Sequence, residues 1–351
     1  SVLAGGTAGP ASGGMRMGSR AIGRYFDDPD EIFGWLNSAV FGTAAMDAAN
    51  RSGVTAKLLQ GPASASDLAS ACGLPEDKLR RLLDFLAAHE MIERRADGSY
   101  RGTARTAVML DAQGLFANEL VSAMASSKLY EGLRDDRIPF ELFFGKPVFE
   151  FFAEQPGTAA AFGQFMGWMT RRFEKFLHAQ HRFHPFETVA DIGGSMGDLL
   201  LGILAEYPGT RGILFDLPET VEMARPAIAA SPVGDRVELV GGSFFEEVPA
   251  ADLYTMKQIL HDWHDDECRK ILGNIRRAIN PGGRLAVMDH ILKDIPAPDE
   301  AQGTDLAMMV WDTGRERKLG EFEALFAATG FAIDRVTRNP TGHSVIEAVP
   351  V

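Results

Sequence analysis

Residues 257–267 read KQILHDWHDDE and crowd two histidines, a tryptophan and four acids into eleven positions. Three chemistries fit such a stretch. A metal centre would use His261 and His264 with the neighbouring carboxylates. A general base would use one imidazole, whose ordinary pKa of about 6.5 suits proton transfer near neutrality. The bland reading is the opening of a helix, whose positive N-terminus attracts acids. The metal reading is the weakest, because zinc or iron needs three or more convergent ligands with supporting partners. A helix start turns only one or two residues inward, so no metal is expected. Asp262 could meet a substrate hydroxyl, or it could cap the helix that starts near His264.

A second candidate is VADIGGSMGDLLLGIL, a strand that ends in an acid, a glycine turn and a helix start. Gly193, Gly194 and Gly197 allow a sharp turn and close approach of backbone to a ligand. The order is D-x-G-G-x-x-G from Asp191, so the G-x-G-x-x-G dinucleotide fingerprint is not met. An acid at this position disfavours a pyrophosphate and favours a ligand carrying an amino group and positive charge, such as S-adenosylmethionine. The next strand, GILFD, ends at Asp216, placed to accept hydrogen bonds from a ribose diol.

These motifs need a scaffold, and the sequence supplies one. TVADIGG, RGILFD, RVELVGG, DLYTMKQIL and GRLAVMDHIL are short β-branched or apolar runs. They alternate with helical segments at 197–206, 218–230, 265–279 and 319–329. Such alternation implies a parallel, doubly wound α/β sheet. Two last strands, near 331–337 and 344–349, follow one another without a helix and should pair antiparallel. In an open sheet of this kind, ligands bind at the carboxyl ends of the strands.

Ahead of the sheet the chain is helical. Ser64 or Ser66 caps a helix ending at Gly73, and Pro75 opens a second one with Leu79, Leu82, Leu83 and Leu86 on one face. MIERRADGSYRGT then gives two strands about an Asp97–Gly98 turn, which completes a winged-helix pattern. Between Gly61 and Thr106 seven acids balance seven bases, so no net positive patch faces a phosphate backbone. The wing is therefore expected to serve dimerisation, with no nucleic acid bound. Residues 115–182 read as longer helices with FFGKPVFEFFAEQP between them. The expected divisions are a flexible tail over 1–20, a helical winged-helix unit over 21–110, a helical connector over 111–184 and a cofactor-binding unit over 185–351.

The formal net charge of −13 argues against nucleic-acid and anionic-membrane partners alike. Cys72 and Cys268 show no metal or disulfide spacing, so a reducing cytoplasm is expected. No apolar run approaches a membrane span, and the first residues lack the charged start and apolar core of a signal peptide.

The ordered motifs DIGGSMGDLL, FDLPETVEMA, GGSFFEEVPAADLYTMKQILHDWHDDE, NPGGRLAVMDHIL and DLAMMVWDTGRERKLGEFEALFAATGF carry a family resemblance. The chain resembles the S-adenosylmethionine-dependent small-molecule O-methyltransferases of plant caffeate type and of bacterial antibiotic pathways. The resemblance runs over nearly the whole chain after residue 30. It implies a Rossmann-like methyltransferase sheet with an antiparallel C-terminal strand, behind a winged-helix domain that forms a homodimer.

By position, the resemblance makes His261 the general base for an aromatic hydroxyl, flanked by Asp289 and Glu316. The family generally has Glu where Asp289 stands. The cofactor would lie against Asp191, Gly193, Gly194, Gly197, Asp216, Leu217, Ser243, Phe244, Lys257 and Trp263. Ser243 replaces the usual Asp at the adenosine half, and Ser195 replaces a frequent third glycine. Met166, Met169, Phe173, Met308, Met309 and Trp311 would wall the acceptor pocket, with Asp262 inside it. The same scaffold could methylate nitrogen, or use the cofactor in hydroxylation, decarboxylation or pericyclic chemistry. A ligand-sensing winged-helix regulator is the alternative from another class.

Overall fold

A computed structural model describes residues 29–351; the expected tail over 1–20 lies outside the described residues. The chain opens with α1 (Pro29–Arg51), α2 (Val54–Gln60), α3 (Ala65–Cys72) and α4 (Glu76–Ala88). Ser64 caps α3, its Oγ accepting from the Asp67 amide at 3.1 Å, and Gly73 ends the helix in the left-handed region at φ 67°. Leu79, Leu83 and Leu86 form the buried stripe of α4. The hairpin follows as β1 (Ile92–Arg94) and β2 (Tyr100–Gly102), paired antiparallel. Four arginines of this unit are matched locally: Arg80 with Glu76, Arg94 with Asp84, Arg101 with Glu93 and Arg105 with Glu90.

The next stretch differs from the expected long helices. After α5 (Ala104–Asp111) and α6 (Gln113–Ser126) come three short ones, α7 (Leu129–Asp135), α8 (Pro139–Phe144) and α9 (Val148–Glu154). Gly145, left-handed at φ 77°, stops α8, and Pro147 precedes α9. Pro156 then starts α10 (Pro156–Gln180), 25 residues long. α6 crosses α10 closely at Gly114, where a Cβ would collide with the Ala161 carbonyl and lie 2.6 Å from the Phe165 amide nitrogen.

From Thr188 the chain alternates strand and helix. The elements are β3 (Thr188–Ile192), α11 (Asp198–Glu206), β4 (Arg211–Asp216), α12 (Pro218–Ala230), β5 (Val237–Gly241), β6 (Leu253–Lys257), α13 (Asp265–Ala278) and β7 (Arg284–Asp289). Then come β8 (Ile291–Leu292), α14 (Glu300–Trp311), β9 (Arg317–Lys318), α15 (Leu319–Ala327), β10 (Phe331–Thr337) and β11 (Ser344–Pro350). The main sheet has the order β10-β11-β7-β6-β3-β4-β5, with β11 antiparallel to both neighbours. Strands buried on both faces explain the continuous apolar runs of the sequence. Ala190, Tyr254, Met256, Leu285 and Val287 pack one face against Ile271, Leu272 and Ile275 of α13 and Phe322 and Phe326 of α15. Val189, Leu214, Ala286 and Met288 pack the other against Leu199, Leu200 and Ile203 of α11 and Leu177 of α10.

The chain leaves β3 for β4 and β5, then returns to β6 on the other side of β3. That reversal opens a crevice at the carboxyl ends of β3 and β6. The two motifs singled out in the sequence are the segments that leave those two strands. α14 reaches the same edge and packs on α6 and α8, which joins the helical connector to the sheet. Among the described residues no helix is long and apolar enough to cross a membrane.

Gly114→Ala should cost about 1–3 kcal/mol, because a tightly packed helix crossing has no room for the methyl. A denaturant melt should show the lowered midpoint.

Candidate active site

β6 ends at Lys257, and Gln258 then enters the left-handed region at φ 55°, a strained conformation for a side-chain-bearing residue. A single 3-10 turn, Leu260–Asp262, follows before α13. It presents a buried His261. The ring's Nδ1 is 2.9 Å from Oε1 of Glu316, and Glu316 is itself buried. A carboxylate at Nδ1 fixes that nitrogen as the proton carrier and leaves Nε2 to exchange a proton with a ligand. Asp262 Oδ1 lies 3.3 Å from Nε2, without the alignment of a hydrogen bond. Burial pulls the imidazole's pKa down, but the charges of Asp262, Glu316 and Asp289 outweigh it and hold His261 up at about 9.

Asp289 ends β7 and is fully buried, and neither carboxylate oxygen has a hydrogen-bond partner. It acts on His261 through charge and accepts nothing from the ring. Burial and its acidic neighbours, partly offset by His261, raise its pKa. Burial likewise lifts Asp262 to about 6. Asp262, Asp289 and His261, this close together, titrate as a unit.

Other residues that shape this loop were not singled out in the sequence. The amide of Arg315 donates to the His261 carbonyl at 2.8 Å, and the amide of Glu316 to Asp305 Oδ1 at 2.9 Å. Gly314 lies flat against the loop, where a Cβ would collide with the His261 carbonyl. The motif GRERK contains these partners but gives no sign that they meet residues 55 positions earlier. His264 is exposed and precedes α13, its amide donating to Glu267 Oε2 at 3.1 Å. It does not converge with His261. Among the described residues the grouping with metal-ligand spacing is His184, Asp334 and Glu347. Arg284 and Arg335 already hold those two carboxylates.

The cofactor side is built from backbone. The amides of Gly193 and Gly194 donate to the Phe215 carbonyl at 2.8 and 3.3 Å, folding the loop onto β4. Gly193 and Gly197 are left-handed, at φ 68° and 84°. A Cβ at Gly194 would lie 2.5 Å from Leu214 Cδ1 and 2.7 Å from Asp191 Oδ2, so only glycine fits there. Ser195 is also left-handed, at φ 52°, the conformation that explains a glycine preference at this position. Asp216 accepts from the Ser195 amide at 2.8 Å and the Leu217 amide at 2.7 Å. Its carboxylate keeps further lone pairs for a diol.

Asp191 is buried, accepts from Thr255 Oγ1 at 2.7 Å, has an unpartnered Oδ2 and is pushed up to about 7 by burial. Lys257 stands between Asp191 and Asp289, its Nζ donating to Gln258 Oε1 at 2.8 Å. Burial lowers its pKa against the pull of Asp191, Asp289, Asp198 and Glu174. The glycine cradle, the Asp216 carboxylate and this acidic wall fit a cationic nucleoside such as S-adenosylmethionine.

Ser243 is engaged in its own turn, with Oγ accepting from the Phe245 amide at 3.3 Å. Trp263 meets Phe244 and Phe245 edge-on, at 6.0 and 4.7 Å between ring centroids. Leu217 is exposed beside Asp216, as is Met196 in the glycine loop, an apolar residue that the sequence reading passed over. Of the expected pocket wall, Met308 comes close to Gly314 and so to the His261 loop, and Met309 is exposed. Met166 and Met169 lie on α10, and Met169 borders a small cavity with His343 and Phe173. Two others sit in packed clusters. Phe173 is buried with Leu177 and Leu200. Trp311 packs on Phe140, Phe152 and Phe162 and donates from Nε1 to Ser122 Oγ at 2.9 Å.

Comparison with known proteins adds independent findings. The family model described as an O-methyltransferase domain matches residues 126–332. Phenazine O-methyltransferase PhzM of Lysobacter antibioticus is 32% identical over 317 residues, covering 88% of this chain and 93% of that protein. The solved structure of CalO1, a methyltransferase in calicheamicin biosynthesis in its SAH-bound form, superposes with a TM-score of 0.78 at 31% identity. It covers 92% of this chain and 99% of its own. RosA of Streptomyces davawensis, an N,N-8-amino-8-demethyl-D-riboflavin dimethyltransferase, gives a TM-score of 0.78 at 25% identity, covering 92% and 100%.

Glu316→Gln removes the charge at Nδ1, so the His261 titration followed by NMR should move down by about one pH unit or more. The raised value has a consequence for stability. The imidazolium stabilises the fold fully below pH ~6.5 and stops doing so as pH climbs through about 9.

Proposed function

The chain belongs to the O-methyltransferase family and depends on S-adenosylmethionine, and on that premise we propose that it methylates a hydroxyl of an aromatic secondary metabolite with His261 as general base. The observation that carries this reading is the buried His261–Glu316 pair, 2.9 Å apart, at the crevice where the glycine loop leaves the sheet.

When bound, S-adenosylmethionine supplies an electrophilic methyl on a sulfonium sulfur. The protein's share is positioning and proton transfer. A phenol with a pKa of about 10 is scarcely ionised at neutral pH, so attack by its oxygen gains from loss of the proton. His261 takes that proton at Nε2, and Glu316 at Nδ1 orients the ring and stabilises the imidazolium. Asp289 adds negative charge behind the ring. Asp262, 3.3 Å from Nε2, lies beside the path of the incoming hydroxyl and can accept from a donor on the acceptor. Asp191, Gly193, Gly194, Gly197, Asp216 and Lys257 would hold the cofactor, with Leu217, Ser243, Phe244 and Trp263 around its adenosine. Met166, Met169, Met308 and Met309 offer adaptable apolar contact to a planar ring.

We read the functional units as a winged-helix dimerisation unit over 21–110, a pocket-lining connector over 111–184 and a catalytic unit over 185–351. A homodimer is supported by the exposed Phe33, Leu36, Val40 and Phe41 on α1, an apolar face that suits a second copy of the chain. The arginine pairing in the wing favours an enzyme over a DNA-binding regulator, and the two free cysteines suit a reducing cytoplasm.

His261→Ala should lower turnover by roughly 10²–10⁴-fold and leave S-adenosylhomocysteine affinity, measured by calorimetry, within a few-fold. Full activity in this variant would remove the base assignment. Mass spectrometry should find product heavier than the acceptor by one CH₂ unit, on oxygen; methyl on nitrogen, or no gain, would turn the reading to the alternatives. Because the base must be unprotonated, kcat/KM for the acceptor should rise with pH and level off near the His261 value of about 9.

A further inference from the structure

The side chain of His261 is held by carboxylates, but its backbone is held by something else. Arg317 is only 1% exposed, the largest among the fully buried side chains of the described residues. Its Nη1 donates to the Leu260 carbonyl at 2.7 Å and its Nη2 to the Trp263 carbonyl at 2.7 Å. Nη2 and Nε also donate to Asp265 Oδ1, at 2.8 and 3.1 Å. The His261 carbonyl between them accepts from the Arg315 amide at 2.8 Å. Residues 315 and 317 together therefore satisfy the carbonyls of Leu260, His261 and Trp263.

The need for this arrangement follows from the local fold. One 3-10 turn between a strand and a helix gives the Leu260 carbonyl only a long bond from the Trp263 amide, at 3.4 Å, and gives the His261 and Trp263 carbonyls no helical or strand partner. A buried carbonyl left without a hydrogen bond carries its full desolvation penalty. The planar guanidinium fork can reach two carbonyls and a carboxylate at once, which a lysine ammonium cannot match in geometry. Register adds a second constraint. β9 pairs parallel with β8, Ile291 against Arg317 and Leu292 against Lys318. β8 lies two residues beyond Asp289. The pairing thus ties the Glu316–Arg317 step to the end of β7, and any slip would move Glu316 and Arg317 together.

We propose that Arg317 is a positioning residue for the reaction, a buried guanidinium that fixes the backbone on both sides of His261 so that Nε2 stays on the proton path. Arg317 touches neither the ring nor the space for the acceptor; it acts through the loop. The inference rests on His261 being the base.

The test uses the full chain carrying Arg317→Lys and, separately, Arg317→Gln. Turnover is expressed per S-adenosylhomocysteine-binding site, counted by calorimetry, so that unfolded molecules drop out. The Lys variant should keep cofactor affinity within about two-fold, with kcat per site lower by roughly 10²-fold, the scale of a 1 Å misplacement. The Gln variant should lose at least as much. NMR of the His261 ring, which needs no acceptor, should show its titration falling toward the ordinary imidazole value as the ring leaves Glu316. A kcat per site within about three-fold of the parent in both variants overturns the proposal. So does an unmoved His261 titration. Loss of cofactor binding in both variants also overturns it, since Arg317 would then serve the fold as a whole. Should His261→Ala prove fully active, the base reading fails on that result alone, while the ring titration still reports whether Arg317 sets the loop.

Discussion

The ring of His261 lies out of water with the carboxylates of Asp262, Asp289 and Glu316 around it. Such a cluster survives only where its charge is balanced and its geometry fixed. With every group ionised it would carry one positive and three negative charges. It relieves this by holding protons, as the raised values of Asp262 and Asp289 record. Arg317 supplies balancing positive charge to Asp289, and Lys257 stands at the end of β6, where it feels both Asp191 and Asp289. An acidic wall of this kind also suits a cationic cofactor. One arrangement of charge therefore makes the imidazole basic and favours a sulfonium nearby.

Two side-chain-bearing residues in the left-handed region mark the ends of neighbouring strands. Ser195 follows β3 at φ 52° and Gln258 follows β6 at φ 55°. Each costs roughly 1–2 kcal/mol relative to a relaxed backbone. Both persist because their surroundings fix them. The Ser195 amide is bound by Asp216, and the Gln258 amide donates to the Met288 carbonyl at 3.1 Å. The strained turns point the chain out of the sheet on the two sides of the crevice between β3 and β6. Strain concentrated at a functional edge and compensated by the flanking ladder is the expected pattern.

What the sequence revealed depended on the range of the interaction. The doubly wound sheet, the winged helix and the cofactor loop were legible because each is written in local periodicity and turn residues. Ser64, Gly73 and the Asp97–Gly98 turn act within a few positions of themselves. The short helices α7–α9 were obscured because aromatic residues run through them without a clean period, and Gly145 and Pro147 divide them. Glu316 illustrates the limit. By residue type it looks solvated between two arginines, and only the family resemblance set it beside His261; it is buried there because two residues of β9 add to β8, a pairing too short to leave a pattern. Phe173 and Trp311 show the converse: apolar residues at helical spacing fit a pocket wall and a core equally well. Here three-dimensional packing puts both in clusters.

Asp262 shows how geometry resolves what residue type leaves open. As a helix cap it would have to accept from the first amides of α13, but that helix begins at Asp265. The amide of the preceding His264 is met by Glu267, and Asp265 itself is held by Arg317. Asp262 is free of the helix and instead faces Nε2. On the proposed reading an entering hydroxyl would meet the imidazole beside this carboxylate, both of which accept protons. The strand-end crevice and this pair belong to the sheet, whereas the methionines of the proposed acceptor pocket come from α10 and α14, helices that pack with the connector. On that reading chemistry and acceptor choice would rest on different layers of the fold. Changes in the helical layer would then alter which ring is admitted while the strand ends keep the same reaction.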